Sequence, residues 1–460
     1  MRDNTQEVNE LLLNNSNSKS YPQKAIRRFK AIILLLSVWI IISLLHLLNL
    51  QWLAFGLTFV LAIQTVRMLL AKPITTAITK NIDSSQLLPK VSPQVSILVP
   101  AKNESVVLQN LVKSLFNLDY LTPLDIWIID DGSTDETPQT LKKLQHQFPQ
   151  LQVHNRTSKG GKSGALNAVL PFTKGEIILV CDADAQLSSN FLQQTVPLFI
   201  DNIAKNTKNY NLNNNNNNNI NNIGAVQVRK SITNASVNFL TQCQQMEMSC
   251  DCFLQTHRIA IGGMTELRGN GMLVKRSLLE KCHGWNEDTL TDDLDLTFKL
   301  YLIGAEITFL ATPTIQEEGV INWKNLWHQR CRWAEGGYQR YLDYFPEILK
   351  LNWEKEIDLL LFFILQFLLP IALIPDLLWT IFYSHNSVLF PLQTILSLIL
   401  TVAFIGGLYQ FQNLRGITLI WATIQGSLYM LHWIPVMIVT TFKLGIKTQQ
   451  LNWFKTEHRG

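Results

Sequence analysis

The sequence predicts an α/β domain, with a mostly parallel sheet and flanking helices, carried between transmembrane α-helices at both ends of the chain. Three observations lead there. Apolar runs of roughly 20 residues, the length that crosses a hydrocarbon core as a helix, lie before residue 72 and after residue 358. Between them, short β-rich runs alternate with amphipathic helical stretches, the signature of a sheet covered by helices. The polar motifs of that middle region fall where the β-rich runs end.

Residues 1–30 are polar, rich in Asn and Ser, and close on Lys24, Arg27, Arg28 and Lys30, which predicts a disordered cytoplasmic tail. Residues 31–72 hold two apolar runs, Ala31 to Leu50 and Trp52 to Ala71, with no small-residue cleavage site after the first, so two retained transmembrane helices are expected. Basic residues flank the outer ends of this hairpin, Arg27, Arg28 and Lys30 before it and Arg67, Lys72 and Lys80 at its exit. The turn around Asn49 to Gln51 carries no charge. The positive-inside tendency then puts the following domain, residues 94–344, in the cytoplasm.

In that domain VSILVP at 95–100, IWIID at 126–130 and EIILVCD at 176–182 read as strands, and Val106 to Leu118 and Thr137 to Gln147 as helices. The tract Asn206 to Asn222 contains a run of Asn from Asn213 to Asn219. It has nothing to bury and reads as a solvated insertion. Residues 345–357 form an interfacial segment, and residues 358–442 hold about three transmembrane helices, near Asp358 to Tyr383, Val388 to Tyr409 and Ile417 to Thr441, kinked at Pro370, Pro375 and Pro435. Three full crossings would leave Lys443, Lys447, Lys455 and Arg459, in the C-terminal tail 443–460, on the far side. One stretch is therefore expected to be re-entrant or interfacial.

A net charge of +4 makes no case for a nucleic-acid partner, which calls for a concentrated basic face. The six cysteines follow no framework spacing, and the C-x-C of Cys250 and Cys252 lacks the second pair or His cluster a zinc site needs, so they read as reduced thiols.

Three successive strands end in VPAKNES, DDGSTDET and CDADA, and open parallel sheets bind ligands at the carboxyl ends of their strands. Asp182 and Asp184, two apart after a buried strand, suit a divalent cation whose shell a substrate's phosphates complete. All-oxygen ligands point to Mg²⁺ or Mn²⁺. Asp130 and Asp131 can accept hydrogen bonds from a nucleobase or ribose, while Ser133 to Glu136 also fits a helix-capping box. SKGGKSGALN at 158–167 is not a P-loop, because Arg156 stands where the first glycine belongs, but Lys159 and Lys162 on a glycine turn suit a pyrophosphate. TLTDDLDLTFKL places Asp292, Asp293 and Asp295 at a helix start. The dipole favours acids there whatever their role, and one within reach of an acceptor hydroxyl would be a general base. In HQRCRWAEGGYQRY, Arg332 can clamp a diphosphate and Trp333 can stack on a sugar, while the bland reading is an Arg- and Trp-rich interfacial helix.

With these motifs in order (Pro100, Asn103 and Glu104; DDGSTD; K-SGALN; DxD; T-D-D-x-D; QxxRW) residues Val95 to Tyr344 resemble a membrane-integrated family 2 glycosyltransferase of the A-type fold, the branch that includes cellulose, chitin and hyaluronan synthases. The resemblance implies that Asp130 contacts the base, Asp182 and Asp184 bind diphosphate and metal, Asp293 is the catalytic base, and Gln329, Arg332 and Trp333 shape the acceptor and diphosphate site. Asp292 stands where the family usually has glutamate. The two-plus-three membrane layout and QRCRWAEGGYQRYLDYFPEI most resemble the cyanobacterial β-monoglucosyldiacylglycerol synthases. That implies UDP-glucose as donor, diacylglycerol as acceptor, one inverting transfer, and a multi-pass protein of the plasma or an internal photosynthetic membrane. A processive polysaccharide synthase and an inactive membrane scaffold that kept a nucleotide-binding fold are the alternatives.

Overall fold

The computed structural model describes residues 20–73, 92–157, 160–200, 223–383 and 386–446. The expectations for residues 1–19, Lys80, Lys159, the Asn206 to Asn222 tract and the tail beyond Ile446 lie outside the described residues. Two apolar helices come first, α1 (Ser20–Leu47) and α2 (Gln51–Leu70). The strands are β1 (Val95–Ala101), β2 (Asp125–Asp131), β3 (Gln152–Arg156), β4 (Ile177–Val180), β5 (Gln186–Leu187), β6 (Ile223–Ile232), β7 (Met272–Lys275) and β8 (Glu306–Glu317). Among them lie the helices α3 (Leu108–Phe116), α4 (Thr137–Gln147), α5 (Gly161–Val169), α6 (Phe239–Ala260), α7 (Asp292–Leu302) and α8 (Trp323–Ile348). The chain closes with α9 (Trp353–Tyr383), α10 (Phe390–Phe411), α11 (Gly416–Met430) and α12 (Trp433–Ile446).

Among the described residues the strands form one sheet in the order β3-β2-β1-β4-β7-β6-β8-β5. β1 to β4 run parallel, while β7 enters antiparallel between β4 and β6. The sheet is mixed because β7 runs antiparallel to both its neighbours and β5 antiparallel to β8. β1 and β4 are buried on both faces, so they read as unbroken apolar runs rather than alternating ones. Because β1 is followed on one side by β2 and flanked on the other by β4, the chain reverses its winding there. The crevice at the carboxyl ends of β1 and β4 is where such sheets take ligands.

α1 begins at Ser20, inside the stretch expected to be a disordered tail. Two of the basic residues that close that stretch, Arg27 and Lys30, have partners on the domain. The Arg27 Nη2–Asp343 Oδ2 distance is 2.5 Å, with Arg27 3% and Asp343 11% exposed, and Lys30 donates to the Leu342 carbonyl at 2.6 Å. Charges with fixed partners order the helix turn that carries them. The interfacial segment expected at 345–357 is divided between the last turn of α8 and the first turns of α9, where Arg258 of α6 grips Asp358.

Among the described residues five segments are long and apolar enough to span a membrane: Ile26–Leu47, Gln51–Leu70, Trp353–Tyr383, Phe390–Phe411 and Gly416–Ile446. The last is broken at Leu431 and His432 into α11 and α12. Both of its ends, and its break, lie beside the domain-side end of the membrane bundle. Gln412, just before α11, donates to Ser249 Oγ of α6. Tyr429 and Trp433 both donate to Glu247 on that same helix. Arg28, at the domain end of α1, donates to the Gly445 carbonyl. At the opposite end, His46 and Asp376 close α1 against α9 at 2.9 Å. α6 lies directly on α10, since a Cβ on Gly406 would strike the Phe253 ring and one on Gly407 the Ser249 carbonyl.

Replacing Arg27 with Ala leaves Asp343 buried without its partner, a loss of roughly 3–5 kcal/mol for a desolvated pair. The variant should melt several degrees lower in detergent by tryptophan fluorescence. Asp343→Asn in the same background should recover most of the loss.

Candidate active site

The first loop of the site follows β1. Asn103 takes φ +57° and donates its N–H to Ser133 Oγ, while its side-chain oxygen accepts from Thr134. Glu104 N–H donates to Thr137 Oγ1. These bonds clamp the Pro100–Glu104 motif to DDGSTD. They also correct the capping-box expectation. α4 begins after Glu136, whose own side chain caps nothing; Asp135 instead accepts from the Thr137 N–H at the helix start, while Gly132, at φ +71°, turns Ser133 back toward β1. Asp130 accepts from the Ser133 N–H, and Asp131 lies 3.5 Å from Arg156. Both are buried at the carboxyl end of β2 and neither lines the main cavity.

That cavity, about 890 Å³, is lined by Glu104, Lys162, Asp182, Asp184, Asp293, Gln329, Arg332 and Trp333. The structure thus gathers eight of the ten predicted site residues around one space and leaves Asp130 and Asp131 beside it.

The carboxylates are not equivalent. Asp182 sits 2.5 Å from Lys162. Burial opposes its charge, but Lys162, Lys230 and Arg332 outweigh burial and hold the carboxyl below the usual range. Asp184, 9% exposed, accepts the Glu318 N–H at 2.8 Å. Burial, then the charges of Glu317 and Asp182, push it up to about 8. Asp292 is pushed up to about 6 by burial, with Lys162 pulling against that and Asp293 and Asp182 adding to it. Arg332 is pushed below its ordinary value by burial, although Asp182, Asp293 and Asp292 surround it. Asp295 turns elsewhere, accepting from Tyr344 and Asn286 and pairing with Lys299, so it anchors α7 to α8.

Among the described residues no three His, Cys, Asp or Glu side chains form a metal-holding group by themselves. A buried carboxylate, Asp184, and a half-buried one, Asp182, beside Glu317 nonetheless fit a hard divalent cation whose remaining ligands would be phosphate oxygens. Burial first, and then the like charges of Glu317 and Asp182, raise the Asp184 pKa, and a cation there would relieve both.

α8 serves two faces. Arg332 and Gln329 line the cavity. Arg330, wholly buried, holds Glu247 at 2.5 Å and lays its guanidinium 4.1 Å from the centre of the Trp333 ring. Residues two apart on a helix point in nearly opposite directions, so one motif both lines the site and locks to α6.

Several site residues carried no motif. Lys230, Glu317 and Glu318 line the cavity from the ends of β6 and β8. Arg268 and Arg340 pair with Glu266, whose carboxyl falls to about 2 because, against burial, Arg340, Arg268 and Arg258 favour its charge. Gly269, at φ +78°, would with a Cβ come within 3.1 Å of Asp293 Oδ2 and 3.4 Å of Lys162 Nζ. The two adjacent glutamates of QEEG, at the close of a strand, are a sequence signal that could have marked this side of the site.

The middle of the chain, residues 96–258, matches the model of glycosyl transferase family 2. The chain is 44% identical over 448 residues to a β-monoglucosyldiacylglycerol synthase of Nostoc, covering 94% of this chain and 90% of that protein. The chain belongs to glycosyltransferase family 2. A second β-monoglucosyldiacylglycerol synthase, from Synechocystis, is 40% identical to this glycosyltransferase over 453 residues, covering 94% of this chain and 88% of that protein. A mannosyltransferase from Pyrobaculum calidifontis, solved in complex with GDP-Man and Mn²⁺, shares the fold at a TM-score of 0.50 and 17% identity, covering 90% of this chain and 98% of that one. The A-type fold and a hexosyltransferase activity follow from these relatives.

Gly269→Ala, which crowds Asp293 and Lys162, should lower kcat by about 10–100-fold, the size of effect a small displacement in an active site produces, with nucleoside-diphosphate affinity by calorimetry little changed. In EDTA, Asp184→Asn should melt higher than wild type at pH 9. Because burial and crowding raise the Asp184 pKa from its unfolded value near 4, its neutral form stabilises the fold at low pH. That stability is lost as pH rises through about 8. The difference between the two proteins should shrink toward pH 5, and a variant that melts lower at pH 9 would contradict the crowding.

Proposed function

We propose that the chain transfers glucose from UDP-glucose to diacylglycerol with inversion, giving β-monoglucosyldiacylglycerol at the cytoplasmic face of the membrane. The observation that carries this reading is one continuous cavity. Asp182, Asp184, Asp293, Lys162 and Arg332 line it together with Leu365 of α9, Leu396 of α10 and Leu428 of α11. A charged donor and an apolar acceptor can meet only in a space with both kinds of wall.

In this reading Asp130 and Asp131 bound the uridine side, next to Glu104 and the β1 loop. Lys162 and Arg332 face the diphosphate. Asp293 accepts the proton of the acceptor hydroxyl as its oxygen attacks the anomeric carbon, and the bond to UDP breaks on the opposite side. Inversion follows from the single displacement. Gln329 and Trp333 lie on the acceptor side. A divalent cation, Mg²⁺ or Mn²⁺, when held by Asp184 with Asp182 beside it, would neutralise charge on the leaving diphosphate. The identity to β-monoglucosyldiacylglycerol synthases over nearly the whole chain supports both the sugar and the lipid.

The same reading gives four crossings, with Gly416–Ile446 re-entering from the domain side. This puts Lys443 on the side of Arg28, in keeping with the positive-inside tendency. Reporter fusions at the two termini should both read as cytoplasmic, and a C-terminal fusion active only outside would require a fifth crossing.

Purified protein given UDP-[¹⁴C]glucose, dioleoylglycerol and Mg²⁺ should place label in chloroform-extractable lipid. Label in ethanol-insoluble polymer would mean a processive synthase, and no transfer from any nucleotide sugar with either metal an inactive scaffold. Asp293→Asn should lower kcat by about 10²–10⁴-fold while UDP still binds. Lost UDP binding would reassign Asp293 to the donor.

A further inference from the structure

The membrane end of the cavity is built by four helical segments, through Leu61 and Met68 of α2, Leu365 of α9, Leu396 and Ile399 of α10, and Leu431 at the break between α11 and α12. Several polar side chains interrupt this apolar wall, Gln64, Thr65, Gln393, Ser397 and Thr401 among them. Gln366 and Ser427 both line the cavity, and Gln366 Oε1 and Ser427 Oγ are buried with no hydrogen-bond partner. Buried polar atoms in folded proteins are nearly always paired. An unpaired amide oxygen and an unpaired hydroxyl in the lining of one membrane cavity therefore indicate a ligand that completes them.

The backbone at Gln366 is itself irregular. Residues Ile364–Leu368 form a π turn, with the Leu369 N–H reaching back to the Ile364 carbonyl. Pro370 follows and has no N–H to return to the preceding turn. A π turn inserts an extra residue and resets which side chains face inward, and such turns recur at functional sites. The turn is also held from the domain, since Tyr338 of α8 donates to the Phe367 carbonyl at 3.2 Å.

Resting on the activity proposed above, we infer that this chamber holds the acyl chains of the diacylglycerol acceptor and that Gln366 and Ser427 position its glycerol ester region. A glycerolipid with two ester carbonyls and one free hydroxyl is the chemical complement of this pair. The Ser427 hydroxyl donates to an ester carbonyl, and the Gln366 amide oxygen accepts from the free hydroxyl until Asp293 takes its proton. The acyl chains occupy the space between α2, α9 and α10. Gln366 and Ser427 are positioning residues. They set where the hydroxyl stands and take no proton themselves.

The test uses the full-length protein in nanodiscs, with dioleoylglycerol and UDP-glucose titrated separately. Gln366→Leu should raise the KM for dioleoylglycerol about tenfold, the effect of about 1.4 kcal/mol of lost binding, with the KM for UDP-glucose unchanged. Ser427→Ala, a smaller change that keeps the helix, should move the same constant in the same direction. Leu396→Trp should cut kcat/KM for dioleoylglycerol by about tenfold relative to dioctanoylglycerol, because a filled chamber excludes long chains first. A diacylglycerol carrying a diazirine on its acyl chain should label residues 361–373 and 393–401, and dioleoylglycerol should compete that label away. If wild type glucosylates diacylglycerol while all three variants keep its KM and chain-length preference, or if competed label falls only elsewhere, the inference is overturned and the proposed activity stands. If wild type transfers glucose to no diacylglycerol, the activity fails and the inference with it.

Discussion

A highly charged site must be held fixed against a hydrocarbon slab that offers it no hydrogen bonds, and the structure meets this constraint with desolvated arginine–carboxylate pairs along the seam. Arg27 of α1 holds Asp343 of α8. Arg258 of α6 holds Asp358 at the start of α9, whose carboxylate also accepts the Met264 N–H. Arg330 of α8 holds Glu247 of α6, with Tyr429 and Trp433 donating to the same carboxylate. Pairs of this kind contribute little net stability over apolar contacts, but they are costly to separate. Their effect here is registration, since each pair fixes where one helix lies along its neighbour.

Within the site, neighbouring carboxylates are driven to different protonation states by their surroundings, which is how active sites divide labour among chemically identical groups. Lys162 keeps Asp182 ionised, whereas Asp184 and Asp292 are pushed the other way by burial and by their neighbours. An arrangement that crowds acids in a buried space stores unfavourable electrostatic energy, and a bound cation would release it.

β1, β2, β4, α3 and α4 were legible to within two or three residues, because these strands are apolar runs closed by polar loops, and the loop after each carries its motif in consecutive residues. What escaped reading lies in the second half of the sheet. Lys230, Arg268, Gly269, Glu317 and Glu318 reach the cavity from strands paired across long sequence separations and from the loop before β7. No periodicity or spacing announces such contacts. Asp130 and Asp131 were identified as binding residues from their position after a strand, but they sit one strand from the cavity. The N-terminal basic cluster was legible as charge and not as structure, since Arg27 acquires its meaning only from Asp343, more than three hundred residues away. Similarly, Arg330 acquires its role only where the helix turns it toward Glu247.

The glycine pair on α10 has a consequence for how the domain exists at all. With no side chains at Gly406 and Gly407, α6 rests backbone to backbone on a membrane helix, and Met246, Cys250 and Phe253 are covered by Ala403, Phe404 and Leu408. Stripped of its hydrophobic helices, the catalytic half would bare this greasy stripe to water and clump. The bilayer segments are thus one wall of the globule, and a water-soluble fragment would need that stripe rebuilt with polar residues.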